Sequence, residues 1–186
     1  RSVQTVTIYR GSVGADDTKY GKIALCRVCG DEVFTLLPGE TAVVDFGQNF
    51  AGCEAFWVEG PRGATVSVTH GEMLNDGDGL ISRGNDGPEG SVYNENYRLA
   101  KANTRYILKG EGMEAYHPTF TFYGFRYLEV TADRAVTFHG IRGLVITSVE
   151  KETGFLETSD TDVNRLIENI RWGQYSNYLS VPTDCP

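Results

Sequence analysis

Residues 116–130, Tyr-His-Pro-Thr-Phe-Thr-Phe-Tyr-Gly-Phe-Arg-Tyr-Leu-Glu-Val, are the densest run of β-branched and aromatic side chains in the chain. That composition suits a pleated, half-buried surface and constrains the fold more than any other feature. Strand alternation puts Phe120 and Phe122 on one side. Beyond Tyr123-Gly124 the pattern reads as Leu128 and Val130 on one face, with Phe125 and Tyr127 on the other. Gly124 is the expected place for the phase change, because a bulge accepts a residue without Cβ. A strand aromatic on both faces belongs at the centre of a sheet.

Most other segments read as partners for it. Strands are expected at 3–9, 23–29 and 33–37, the last two joined by a hairpin-like turn at Gly30-Asp31-Glu32, with residues 10–22 as a polar loop. More are expected at 41–46, 52–59, 64–70, 104–109 and 136–147. Pro61 presets the turn Gly60-Pro61-Arg62-Gly63. Val66, Val68 and His70 alternate with Thr65, Ser67 and Thr69, giving one buried and one wet face. About ten short strands and no helix before Ser148 predict an antiparallel, jelly-roll-like β-sandwich. The period then changes. Ser159-Asp160-Thr161-Asp162 resembles a capping box, and Val163, Leu166, Ile167 and Ile170 fall on one helical face. Pro182 ends that helix, with Gly173 a weak point within it.

At 186 residues the chain buries roughly 70% of its unfolded surface without staples. Its net charge of −8 argues against nucleic acid and anionic membrane as partners. No apolar run is long enough to span a membrane. The first residues, Arg1-Ser2-Val3-Gln4, do not resemble a signal peptide, and a chain that starts without Met and stops at Asp184-Cys185-Pro186 has ends that look cut. It reads as a segment of a longer protein, for which a periplasmic or secreted setting is favoured over a cytoplasmic one. Cys26-Arg-Val-Cys29 has metal or redox spacing, but no second pair accompanies it and it lies on a strand rather than at a helix start. Ordinary thiols are the reading for Cys26, Cys29, Cys53 and Cys185. The polar stretch 71–96 carries Asn75-Asp76-Gly77-Asp78-Gly79 without the full calcium-loop pattern, which favours a solvated loop over a cation site. His70, His117 and His139 lie on separate strands with no metal spacing, and no metal or cofactor is implied.

Several motifs in order carry a resemblance. They are Val44-Asp45-Phe46-Gly47-Gln48-Asn49-Phe50-Ala51-Gly52, Gly60-Pro61-Arg62-Gly63, His70-Gly71-Glu72-Met73-Leu74, Tyr106-Ile107-Leu108-Lys109-Gly110 and residues 120–130. The last and most specific is the run from Asn169-Ile170-Arg171-Trp172-Gly173 through Pro182-Thr183-Asp184-Cys185-Pro186. From about Thr41 onward the chain resembles the bacterial α-L-rhamnosidases of glycoside hydrolase family 78. The resemblance implies residues 38–150 as an accessory β-sandwich packed on its own catalytic barrel, and residues 151–186 as a linker and the first helix of that truncated (α/α) barrel. Residues 1–37 are either early strands of the sandwich or the tail of a preceding domain.

The chemistry so implied is inverting hydrolysis of a terminal α-L-rhamnoside by a carboxylic acid and a carboxylate base. Both fall beyond Pro186, so the segment itself is expected to be inactive. By the same resemblance Asp184 is a substrate-binding residue, its carboxylate accepting sugar hydroxyls. Glu72 is the second candidate, either facing the active site from the sandwich or standing as a solvated loop carboxylate. Asp45, Gln48 and Asn49 are read as satisfying backbone groups at a strand end, and Trp172 and Asn177 as packing and helix-bracing residues. The competing function is a stand-alone carbohydrate-binding module, which an exposed aromatic platform would favour. Without its barrel partners the helix is expected to pack poorly or to borrow a neighbouring molecule, because its apolar face is meant for helices that are missing.

Overall fold

The computed structural model describes residues 1–13, 21–30, 32–76 and 87–183. Its organising element is β4 (Glu40–Glu59), a single strand where the sequence reading placed two. The first half pairs with β1 (Thr5–Val13) and β8 (Tyr123–Ala132), and the second half with β7 (Glu114–Tyr116) and β9 (Val136–Val145). The two halves belong to two layers. One runs β2 (Gly21–Cys29), β1, β4, β8, β5 (Thr65–Gly71), β6 (Asn103–Ile107), and the other joins β3 (Phe34–Leu36) to β9, β4 and β7. All these pairings are antiparallel, and the chain forms the β-sandwich expected of it.

The core lies between the layers. Val6, Ile8, Val44, Val66, Val68, Leu128 and Val130 meet Phe34, Leu36, Phe56, Val58, Phe138 and Ile141. Burying one such side chain is worth about 1.5–3 kcal/mol, so this cluster is the main source of stability. Phe34 stacks on Phe138 with ring centroids 4.8 Å apart. That contact explains why β3 does not form the expected hairpin with β2. Its inward residues belong to the opposite layer, and β2 pairs with β1 instead. Part of the expected 10–22 loop is accordingly strand, since β1 reaches Val13 and β2 begins at Gly21.

The aromatic run is divided. Tyr116 ends β7 and Tyr123 begins β8. Between them Pro118 interrupts strand pairing, and Phe120 sits at φ 61° with its side chain in solvent. β8 lies between β4 and β5, a central position as read. The phase change is displaced, however. Phe125 points into the same core as Leu128 and Val130, and Tyr127 alone of these packs on the outer face. The irregularity is on β4, where Asp45 faces Tyr127 and Phe50 faces Phe125, leaving four β4 residues opposite Arg126. In the β4–β5 turn Ala64 N–H donates to the Pro61 carbonyl, so Pro61 opens the turn and Gly63, at φ 78°, supplies its left-handed residue.

The helix α1 (Thr161–Asn177) starts one residue later than the capping-box reading. Asp160 is the N-cap, its carboxylate accepting from Asp162 N and Val163 N. The helix docks through another face than its apolar stripe. Trp172 packs on the core and Ser176 is buried, while Val163, Leu166 and Ile170 stay exposed.

Candidate functional site

The β4 bulge comes first, because it sets the side chains around it. Gly47 has φ 70°, a left-handed conformation that suits glycine. Its N–H donates to Asp45 Oδ1 at 2.6 Å. Arg126 grips the same carboxylate with Nε and Nη2, both at 2.8 Å. This forked pair is the strong geometry for arginine and carboxylate, and it replaces the strand pairing that the bulge removes. Asp45 therefore does the backbone-satisfying work expected of it. Gln48 likewise donates to the Asn49 carbonyl. Asn49 does not. Its amide projects outward and donates to Glu72 Oε1 at 3.0 Å.

Glu72 follows the last residue of β5. Gly71 allows this, since a Cβ there would lie 2.1 Å from Val92 Cγ1. The Leu74–Val92 bridge and the Tyr93 N–H to Met73 carbonyl bond then hold the two ends of the long loop together. Asn75 is buried and donates to Ser91 Oγ at 2.9 Å. Of the loop's interior, residues 77–86, which carry most of the calcium-like spacing, lie outside the described residues. The second oxygen of Glu72 accepts from Asn96 Nδ2 at 3.0 Å. Two carboxamides thus flank one carboxylate. Neighbouring Tyr97 donates to the Gly124 carbonyl, and burial followed by the Glu72 charge pushes its phenol up.

Across from Glu72 stands α1. Gln48, Asn49, Phe50, Glu72 and Gly124 form one wall of a cleft of about 330 Å³, and Asn169, Trp172, Gly173, Ser176 and Asn177 form the other. The helix is fixed there by the Ala51 N–H, which donates to Ser176 Oγ at 3.1 Å in a buried contact. Trp172 donates to Glu168 Oε1, and Asn177 Nδ2 to the Gly173 carbonyl, which matches their bracing roles. Asn177 Oδ1 is buried without a hydrogen-bond partner among the described residues. The Asn177 carbonyl accepts from both Thr183 N and Thr183 Oγ, holding the chain at the residue before Asp184 against this end of the cleft. Asp184 itself lies outside the described residues, as does Cys185.

The structure brings Glu72 together with Gln48, Asn49, Trp172 and Asn177, which the sequence named separately. It adds Asn169 and Ser176, which lie in the most specific of the sequence motifs without having been singled out, and Asn96, for which the sequence held no signal beyond residue type. It also shows a second polar cluster that sequence reasoning missed. His70 Nε2 and Glu54 Oε2 are 2.8 Å apart in the core, both side chains fully buried. His70 Nδ1 donates to the Ala102 carbonyl, and its ring stacks on Tyr123. Burial and the Glu54 charge push the adjacent Cys53 thiol up. Cys26 is exposed and Cys29 half-buried on β2. Among the described residues no group of three or more His, Cys, Asp or Glu side chains could hold a metal ion.

Comparison with known proteins places this arrangement. Residues 35–147 match the bacterial alpha-L-rhamnosidase concanavalin-like domain, and residues 151–186 the bacterial alpha-L-rhamnosidase 6 hairpin glycosidase domain. An alpha-L-rhamnosidase of Streptomyces avermitilis is 41% identical over 145 residues, covering 77% of this chain and 13% of the relative. One from Formosa agariphila is 33% identical over 154 residues, covering 81% and 15%. Among solved structures, a Streptomyces avermitilis alpha-L-rhamnosidase complexed with L-rhamnose superposes with a TM-score of 0.63 at 34% identity, over 92% of this chain and 17% of that one. Native rhamnosidase from Aspergillus terreus gives 0.64 at 29%, over 94% and 21%. The chain therefore spans less than a quarter of the length of these relatives. With a family match over more than half its length, the chain belongs to the bacterial alpha-L-rhamnosidases, as their concanavalin-like β-sandwich followed by the opening of the hairpin glycosidase domain.

Proposed function

We propose that the intact protein is an inverting glycosidase that removes terminal α-linked L-rhamnose, and that the residues described form its non-catalytic front. The observation that carries this is the continuity of the two family matches across one docked unit. The hairpin-domain match begins at residue 151, and its first helix is already seated on the sandwich through Trp172 and Ser176. The exposed stripe of Val163, Leu166 and Ile170 is then the face that later helices of the same barrel cover. The sandwich acts as the support on which that barrel starts.

In this reading the acid and the base both lie beyond Pro186. The acid protonates the leaving oxygen while the base activates a water on the opposite face of the sugar, across a gap wide enough to admit it. Asp184 accepts hydroxyl hydrogens of the bound rhamnose. The substrate class is a rhamnose-containing glycoside, in keeping with the L-rhamnose held by the Streptomyces avermitilis relative.

The test is hydrolysis of a chromogenic aryl α-L-rhamnoside by this segment and by the chain extended through its hairpin domain. Turnover by the longer chain alone is expected. Turnover by neither, over a panel of α-glycosides, would transfer the function to sugar binding by the sandwich.

A further inference from the structure

We propose that the Glu72 cleft is a binding site for a glycosyl leaving group, so that the sandwich contributes directly to substrate choice. This rests on the rhamnosidase reading above. The cleft has the chemistry of sugar recognition. Glu72, Gln48 and Asn49 on one wall and Asn169 and Asn177 on the other supply planar acceptors and donors, beside the ring of Trp172. Carboxylates and carboxamides match paired sugar hydroxyls, because each offers two adjacent hydrogen-bonding positions. The volume, about 330 Å³, falls within the range of about 300–1,000 Å³ typical of small-ligand sites.

The side chains are also held in place. Asn49 and Asn96 fix Glu72 from both sides with 3.0 Å bonds, and each carboxylate oxygen retains a lone pair for a further donor. Asn177 Oδ1, buried and without a partner among the described residues, is an acceptor that can take a donor. Position decides which part of a substrate is bound. Asn177 lines the cleft and its carbonyl anchors Thr183, immediately before the residue assigned to the terminal rhamnose. An enzyme that removes a terminal sugar leaves only one portion of substrate to occupy a neighbouring site, namely the group from which the rhamnose departs. A cleft lined by carboxamides and a carboxylate therefore selects a hydroxyl-rich saccharide there over an aryl group.

The experiment uses the full-length enzyme, with Glu72→Gln and, on the opposite wall, Asn169→Ala. Hydrolysis is measured on a rhamnosyl disaccharide and on an aryl α-L-rhamnoside. For each variant the ratio of kcat/KM for the disaccharide to that for the aryl glycoside is expected to fall about tenfold, chiefly through KM. An unchanged ratio in both variants overturns the assignment, including the case where both substrates lose activity equally, which marks a purely structural role. Should Glu72→Gln fail to fold, Asn169→Ala decides by itself. A wild-type enzyme inactive on both rhamnosides refutes the family activity and this site with it, whereas an active enzyme with an unaltered ratio refutes the site alone.

Discussion

Replacing His70 by Phe isolates the polar contribution of the buried pair. A phenyl ring keeps the stacking on Tyr123 and the edge contact to Phe125, so the change is almost wholly electrostatic. It removes the partner of Glu54 Oε2 at 2.8 Å, while Glu54 Oε1 has no hydrogen-bond partner among the described residues to begin with. The Ala102 carbonyl is less affected, since it still accepts from His70 N at 2.9 Å. Leaving one member of a buried hydrogen-bonded pair without its partner costs roughly 1–3 kcal/mol, a sizeable share of the roughly 5–15 kcal/mol that stabilises a typical domain. Glu54→Met strands the His70 ring instead and costs roughly the same. The double variant removes both polar groups at similar volume and is expected within about 1 kcal/mol of the native chain. The two changes are thus coupled by roughly 1–3 kcal/mol. Urea unfolding followed by Trp57 and Trp172 fluorescence reads this as midpoint shifts at constant slope. A cost below about 1 kcal/mol for His70→Phe, or a double variant equal to the sum of the singles, would refute a dry, coupled pair.

Gly47→Ala places a Cβ on a φ of 70° and 2.3 Å from the Gln4 amide. Gln4 is flexible, so the backbone conformation dominates and a loss of about 1 kcal/mol is expected, measured as a lower Tm. Ser176→Ala leaves the Ala51 N–H without an acceptor and is expected to cost about 1–2 kcal/mol, with faster amide exchange at Ala51 and through α1. Glu40 is held down to about 2, first by its hydrogen bonds from Arg27 and then by the Leu37 N–H, against opposing desolvation. Its folded value lies below the unfolded value of about 4.3. The stabilisation is therefore complete above pH ~4.3 and disappears as pH falls toward ~2. Acid titration of stability should show Glu40→Gln weaker than the native chain at neutral pH, with the gap closing through that window.

The layered β architecture was legible because alternation is a local signal. Val66, Val68 and His70 are buried in the pattern read from their spacing. What escaped were the features set by distant partners. Two short strands were read where β4 is one, since Phe46-Gly47-Gln48-Asn49 looks like a loop until Arg126 and Asp45 close the bulge across 81 positions of sequence. The β2–β3 hairpin looked right locally and lost to the Phe34–Phe138 stack. His70 was read as one more buried strand residue, and nothing in its neighbourhood of sequence indicates Glu54. Glu72 stood out only through the motif containing it. Its setting depends on Asn49, 23 positions earlier, and Asn96, 24 later.

These features converge on how the sandwich presents the helix. The bulge carries Asn49 outward and leaves Ala51, one residue into the resumed strand, with an N–H free to meet Ser176. The linker is tied at two further points. Ser148 N–H donates to the Tyr178 carbonyl, and the Glu152 carboxylate accepts from Arg171 and Tyr175. Attachments at Arg171, Tyr175 and Ser176 in the second half of α1, and at Tyr178 just past its end, fix both its position and its rotation, which one apolar contact would not. The stripe of Val163, Leu166 and Ile170 is therefore left pointing away from the sandwich as a consequence of that rotation. A helix recruited only to complete the sandwich core would turn this stripe inward, where burial of each side chain gains about 1.5–3 kcal/mol. Its polar face is turned inward instead, and the side chains on that face form the wall of the Glu72 cleft.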